Sequence, residues 1–167
     1  MKEAFLTLGR GVGQVMFQNN ALSGVLMLAG ILLNSWQMAL LAIVGNVVST
    51  LTACLSGYSR EDIRNGLYGF NGTLVGIAIG VFMPVAGACL SAWIARLFSL
   101  QRRVPGFTAP FILSVWILLA ACRGMMPSLL LPSGNAVTAQ SLSFLQAFCL
   151  NIGQVMFQGN TVLAGVL

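Results

Sequence analysis

Charged residues are few in this chain, and long apolar stretches separate them. No Asp, Glu, Lys or Arg occurs in 11–59, 65–95, 104–122 or 124–167. About 20 apolar residues cross a bilayer as a helix, so these stretches have room for roughly five spans. With 57% hydrophobic and only 7% charged residues, the chain lacks the charged surface that a soluble domain carries. The sequence therefore predicts an all-α, multi-pass membrane protein.

The apolar runs predict five helices before residue 140, at 21–33, 36–58, 67–83, 85–98 and 107–122. The stretch 67–101 is short for two complete spans, which need about 40 residues before any turn. We therefore expect a broken or half-membrane helix around 66–74, with GFNG as a glycine-rich polar break. Irregular backbone at membrane depth is tolerated where it is buried or lines a wet cavity. This segment indicates a pore.

The basic residues predict an orientation. They are scattered between apolar runs, as topology signals are, and form no nucleic-acid-binding patch. A cytoplasmic N-terminus places seven of the eight basic residues inside and leaves Arg123 outside. The expected location is the plasma membrane, or the inner membrane of a bacterial cell.

One phrase of the sequence occurs twice. GQVMFQNN, at 13–20, returns as GQVMFQGN at 153–160, with seven of eight positions identical. Five spans lie between the copies, so the second copy must enter the membrane from the opposite side, as in an inverted-topology repeat. We expect residues 1–140 to form the first repeat and 141–167 to begin an incomplete second one. On this interpretation the chain is a fragment or a truncated product that conducts nothing alone.

The residues that are missing restrict the function. The sequence has no His and no Asn-Pro-Ala motif, which disfavours an ammonium channel and an aquaporin-type pore. The only acids are Glu3, Glu61 and Asp62, so neither an ion-coupled carrier nor a catalytic acid–base pair is expected. No metal or other cofactor is predicted. A passive path for a neutral solute remains.

Four motifs then carry a family resemblance. GQVMFQNNALSG, VSTLTA, GLYGFNGTLVG and VPGFTAPF, in this order and over essentially the whole chain, resemble the urea transporter family. The resemblance implies two inverted repeats, each of five helices plus a pore helix. It also implies one urea-conducting pore per subunit and a homotrimer around a lipid-filled axis.

Urea is flat and neutral, with four N–H donors and one carbonyl acceptor. Aromatic faces suit such a solute, and oxygen acceptors can take its N–H groups when water is removed. Gln14, Phe17 and Ala21 are spaced to share one helical face if this stretch is helical. The resemblance implies a pore lined by an aromatic wall around Gln14 and a second one around Phe70, with matching positions in the second repeat. The implied pore residues are Gln14, Phe17, Phe70, Leu74, Thr108, Gln154 and Phe157.

Other functions stay open at this point. A channel of this type can conduct a related small amide or ammonia instead of urea. A non-conducting half-channel that docks onto another protein as a partner subunit is a second alternative. A membrane amide hydrolase is the least favoured, because a nucleophile with a base is missing.

Overall fold

A computed structural model describes residues 2–78, 84–101, 105–125 and 147–148 of the chain. The first three of these ranges are helical and contain no strand, which confirms the predicted all-α class. In order, they form α1 (Lys2–Gly13), a 3₁₀ turn (Gln14–Met16), α2 (Ala21–Asn34), α3 (Trp36–Leu55), α4 (Arg60–Arg64), α5 (Gly69–Ala78), α6 (Pro84–Gln101) and α7 (Ala109–Met125).

Polar side chains mark where the helices begin. The Asn20 side chain accepts the Leu22 N–H at 2.9 Å and so caps α2. Ser35 closes α2, because its N–H donates to the Ile31 carbonyl at 2.7 Å, and its hydroxyl also accepts the Met38 N–H of α3 at 3.3 Å. One residue therefore ends one helix and starts the next, which makes α2 and α3 a tight pair.

The chain bends sharply between α1 and α2. The helical stretch from Lys2 to Met16 and helix α2 meet at an angle of 73°. Phe17 stands at the bend in the left-handed conformation, with φ of 57°. The expectation that Gln14, Phe17 and Ala21 share one helical face is therefore wrong. The 3₁₀ turn and the four residues after it break the helical periodicity on which that expectation depended.

Helix α5 begins immediately after a turn over 65–68. Gly66 has φ of 74° there, and a Cβ at this position would collide with the α1 backbone at Arg10 and Gly11. The GFNG motif itself is helical and forms the first turn of α5. The break was correctly expected near residue 66, but its assignment to GFNG is wrong. Ten residues give α5 a length of about 15 Å.

Helix α5 packs against α3 through glycines. A Cβ on Gly72 would collide with the Gly45 carbonyl oxygen, and a Cβ on Gly45 would collide with the Gly72 carbonyl oxygen. Small residues at such a crossing let two backbones approach closely, as they do between helices in membranes. Ser49 ties the same two segments together by donating to the Tyr68 carbonyl at 2.8 Å. Helix α6 also packs against α5, since a Cβ on Gly87 would collide with the Val75 side chain.

Many of the largest apolar side chains point outward. Trp36, Trp93 and Trp116 are each more than half exposed. Among the described residues, α3 is the one helix long and apolar enough to cross a bilayer by itself, and the bent α1–α2 pair passes the same criterion jointly. Helices α6 and α7 are apolar but shorter. An apolar exterior around a core that includes buried polar groups is the opposite of a soluble domain's pattern.

Candidate functional site

A cavity of about 620 Å³ opens where five parts of the chain meet. These are the turn after α1, the start of α4, the segment 67–71 at the start of α5, the C-terminal part of α6, and the loop 105–107 with the start of α7. Four aromatic rings line it, from Phe17, Phe70, Phe98 and Phe107, together with the carboxamides of Gln14 and Asn71. This volume falls within the range of small-molecule sites.

The Gln14 carboxamide reaches from the 3₁₀ turn to the turn before α5. Its Nε2 donates to the Asn65 backbone carbonyl at 3.0 Å. The Asn19 side chain donates to the Asn65 side-chain oxygen at 3.2 Å, so two contacts join these segments. Gln14 is thereby fixed beside the cavity by its nitrogen. Its oxygen Oε1 is the amide atom that can accept from a ligand.

The rings of Phe17, Phe70 and Phe107 differ in their surroundings. Phe17 and Phe107 meet edge to face, with ring centroids 5.9 Å apart and planes at 79°, a favourable aromatic geometry. They are 70% and 57% exposed, respectively, whereas Phe70 is only 6% exposed. Phe70 belongs to an apolar core cluster that also contains Val15 and Leu74. One of these three rings is thus anchored in the core, and the other two project from chain breaks.

The Asn71 side chain connects α5 to the opposite wall. It is 1% exposed. Its Nδ2 donates to the Phe107 carbonyl at 3.4 Å, and its Oδ1 accepts the Phe111 N–H at 3.0 Å. Phe111 is in the first turn of α7, where backbone N–H groups have no partner within the helix. Asn71 therefore caps a helix to which it does not belong.

Charged groups lie on part of the cavity lining, at Glu61, Asp62 and Arg96. The Arg96 guanidinium is 4.9 Å from the centre of the Tyr58 ring, a cation–π contact that holds the cation in place. A second, polar cavity of about 500 Å³ shares Glu61 with the first. Arg10, Arg60 and Arg64 line it. In the described part of the chain, no three His, Cys, Asp or Glu side chains come together as metal ligands would.

The structure brings together some of the predicted pore residues. Gln14, Phe17 and Phe70 line the same cavity. Leu74 does not line it, because this side chain is 4% exposed and packs in the apolar core. Thr108 is half-buried at the start of α7, where its carbonyl accepts the Ile112 N–H at 3.0 Å, and it is also outside the lining. Gln154 and Phe157 lie outside the described residues.

Sequence reasoning missed most of the lining, including Asn71, Phe107 and Arg96. A signal existed for Asn71, because a polar side chain inside an otherwise apolar run needs a partner within the protein. Arg96 had the same signal. Phe107 gave none, since its place depends on a backbone conformation that no residue pattern near VPGFTAPF specifies.

The described residues thus combine helices, exposed apolar side chains and a cavity lined by aromatic rings and amides. The chain belongs to the urea transporter family, whose model matches residues 5–167. This family consists of transport proteins, so the prediction that the chain is not an enzyme is confirmed. The family suggested by the four motifs is likewise confirmed.

Curated relatives agree with this assignment. The chain is 34% identical to urea transporter 1 of Rattus norvegicus over 171 residues, which cover 87% of this chain and 44% of the relative. It is 32% identical to urea transporter 1 of Mus musculus over 181 residues, which cover 94% of this chain and 47% of the relative. The chain thus spans about half the length of the curated relatives it matches.

Proposed function

We propose that this chain supplies one wall of a pore through which urea crosses a membrane passively. The observation that carries the proposal is the cavity wall itself, in which the rings of Phe17, Phe70 and Phe107 stand beside the carboxamides of Gln14 and Asn71. Family membership supports urea as the solute.

The chemistry of the wall suits urea better than an ion. A flat solute can lie against aromatic faces, and its N–H groups need acceptors to replace water. The Gln14 oxygen is one such acceptor, because the nitrogen of the same amide is bonded to Asn65. The five side chains of the proposed wall carry no charge and so do not offset the cost of dehydrating an ion, whereas the charged Glu61, Asp62 and Arg96 lie on another part of the same cavity lining.

We infer that the complete pore needs a second half with a similar fold and inverted topology. Residues 1–140 form the first repeat on this proposal, and 141–167 begin the second. The half-length match to the relatives supports this division. Helix α5, about 15 Å long, is then a pore helix that covers half of a hydrocarbon core about 30 Å thick. Gln154 and Phe157, which repeat the sequence pattern of Gln14 and Phe17, belong to the second repeat on this proposal.

A cytoplasmic N-terminus and a plasma-membrane location complete the proposal. Arg10, Arg60, Arg64 and Arg96 line two adjoining cavities, and this supports a common side for these basic residues. The side that gathers basic residues is the cytoplasmic one. The exposed apolar side chains of α2, α3 and α7 support contact with lipid and with neighbouring subunits of a homotrimer.

Vesicle permeability tests the proposal. We would express the longest reading frame of the gene in parallel with this chain alone, reconstitute both in vesicles and follow urea entry by stopped-flow light scattering. The longer product is expected to raise urea permeability well above that of protein-free lipid, and the chain alone is expected not to. Permeability equal to that of bare lipid for both would refute the proposal.

Side-chain substitutions test the wall. In the longer product that is expected to conduct urea, called the conducting protein below, Phe70→Ala and Phe17→Ala should each lower the selectivity for urea over larger amides. Each substitution removes a ring that confines the solute. Leu74→Ala and Thr108→Ala are made in parallel, since both positions were implied by resemblance but lie outside the cavity. Unchanged selectivity in Phe70→Ala and Phe17→Ala would remove these rings from the pore wall.

The same assay separates the alternatives. A faster flux of ammonia or of another small amide than of urea would reassign the solute. Copurification with a full-length transporter, without any flux of its own, would identify the chain as a partner subunit.

A further inference from the structure

We propose that Asn71 is a positioning residue, which holds Phe107 against Phe17 and thereby sets the width of the solute cavity. Phe107 is then a specificity-determining residue for the solute. This inference rests on the proposed function, because the cavity must be part of the solute path for its width to matter.

Two phenylalanines share an unusual backbone conformation. Among the described residues, Phe17 and Phe107 are the only ones other than glycine with positive φ, at 57° and 40°. Such conformations are strained for residues other than glycine and persist where the surroundings enforce them. These same two residues are the pair whose rings meet edge to face at 5.9 Å, and both line the cavity. The strain is therefore concentrated at one ring pair.

A carboxamide hydrogen bond lies near each strained residue, but only Phe107 is itself bonded to one. Gln14, in the turn that leads to Phe17, is bonded to the Asn65 carbonyl. Asn71 is bonded to the Phe107 carbonyl itself. Exposure of more than half of the Phe107 side chain shows that packing does not fix this ring. The Phe17 ring contacts the Phe107 ring, and the Asn71 amide bonds the Phe107 backbone carbonyl.

The Asn71 amide uses both of its ends. Its oxygen caps the start of α7 at Phe111, and its nitrogen bonds the residue two positions before α7. Asn71 directly follows Phe70 on α5. It therefore links the buried Phe70 ring to the exposed ring pair of Phe17 and Phe107. Shortening or removing this amide frees the loop 105–108 to move away from α5, and the cavity widens.

A double-mutant cycle tests the coupling. In the conducting protein, Asn71→Leu and Phe107→Ala should each lower the selectivity for urea over N-methylurea or thiourea by about two- to tenfold, the scale of one aromatic contact. The double variant should match Phe107→Ala alone, because Asn71 acts through Phe107. Additive losses in the double variant would overturn the proposal. Asn46→Leu is the control for the loss of a buried carboxamide, since Asn46 is 2% exposed, bonds Leu8 and is not part of the cavity lining.

A second variant separates positioning from capping. Asn71→Asp keeps an oxygen for the Phe111 N–H, at a helix N-terminus where a carboxylate is favourable. It loses the N–H donor to Phe107. We expect Asn71→Asp to retain the fold and to lose as much selectivity as Asn71→Leu, while Phe107→Tyr retains selectivity because it keeps the ring. Full selectivity in a folded Asn71→Asp would contradict the proposal.

A spectroscopic readout works without conduction. With 4-fluorophenylalanine at position 107 of this chain in detergent, the ¹⁹F resonance reports the environment of the ring. It should shift towards that of a solvent-exposed ring in Asn71→Asp but not in Asn46→Leu. An unmoved resonance overturns the positioning role. If the unmodified protein conducts no urea, the proposed function fails, and the resonance still decides the role of Asn71.

Discussion

The α3–α5 interface and the aromatic wall of the cavity share helix α5 but are built in opposite ways. At the interface, glycines bring two backbones together, with Gly45 facing Gly72. At the wall, large rings project from chain breaks in strained conformations, at Phe17 and Phe107. The interface leaves no room for a side chain, whereas the wall depends on side chains.

The comparison separates a rigid region, the α3–α5 interface, from a strained region, the cavity wall. Residues 69–77 of α5 are all buried, and the glycine contact fixes the helix against α3. A fixed α5 then gives Phe70 and Asn71 a stable base from which the strained loop is held. A substitution at the interface should therefore affect the fold, and one at the wall should affect selectivity.

The largest effect is expected at the interface. Gly72→Val places a branched side chain against the Gly45 carbonyl oxygen and Ser49, so α3 and α5 must separate. We expect a loss of about 3 kcal/mol, at the upper end for overpacking, seen as a low yield of monodisperse protein and a lowered thermal midpoint in detergent. Gly124→Ala is the control, because nothing lies within 4 Å of a Cβ there. An unchanged midpoint in Gly72→Val would show that the backbones need not touch.

The interface can also be weakened by a single hydrogen bond. Ser49→Ala removes the hydrogen bond from α3 to the Tyr68 carbonyl in the turn before α5. This should lower the free energy of unfolding by about 1 kcal/mol. Ser114→Ala is matched to it, since both serines are fully buried but Ser114 donates to Pro110 of its own helix. The thermal midpoint should fall more for Ser49→Ala. Equal shifts would mean that the bond between segments contributes nothing beyond a local one.

Much of the helical framework was predictable from the sequence. Long apolar runs gave α2, α3, α6 and α7 nearly at their observed bounds, because the length of an apolar run and the polar residues that interrupt it are local properties of the sequence. Helix α1 was missed, since Lys2, Glu3 and Arg10 keep it out of any charge-free run.

Less of the candidate site was predictable. Gln14, Phe17 and Phe70 were recognised by resemblance, but the helical face proposed for the first two does not exist. Their proximity to Phe107 depends on two residues in the left-handed conformation. It also depends on hydrogen bonds from carboxamide side chains to backbone carbonyls that are 36 or more positions away in the sequence. Periodicity carries no information about such contacts. A pore role for these residues, and for Leu74, Thr108, Gln154 and Phe157, stays a prediction.

The wall should tolerate substitutions that the interface does not. Phe107→Asn exchanges the strained phenylalanine for a residue that adopts positive φ more readily. Relief of that strain offsets the loss of the ring contact, so we expect stability within about 1 kcal/mol of the parent. Selectivity for urea should fall in the vesicle assay. A drop in the thermal midpoint as large as that of Gly72→Val would erase the distinction between the two regions.

The smallest effect is expected outside both regions, at the ion pair between Glu3 and Arg64. The two charged groups are 3.8 Å apart, and their side chains are 70% and 67% exposed. Water and salt screen such pairs, so Glu3→Gln should change stability by less than about 0.5 kcal/mol. Thermal midpoints at low and high salt measure this. Arg64 also offers its backbone carbonyl to the Arg10 guanidinium at 3.2 Å, a contact that Glu3→Gln leaves in place. A large, salt-sensitive loss would therefore mean that α1 is held to the α4 segment by charge, and that the support of the cavity extends beyond the glycine interface.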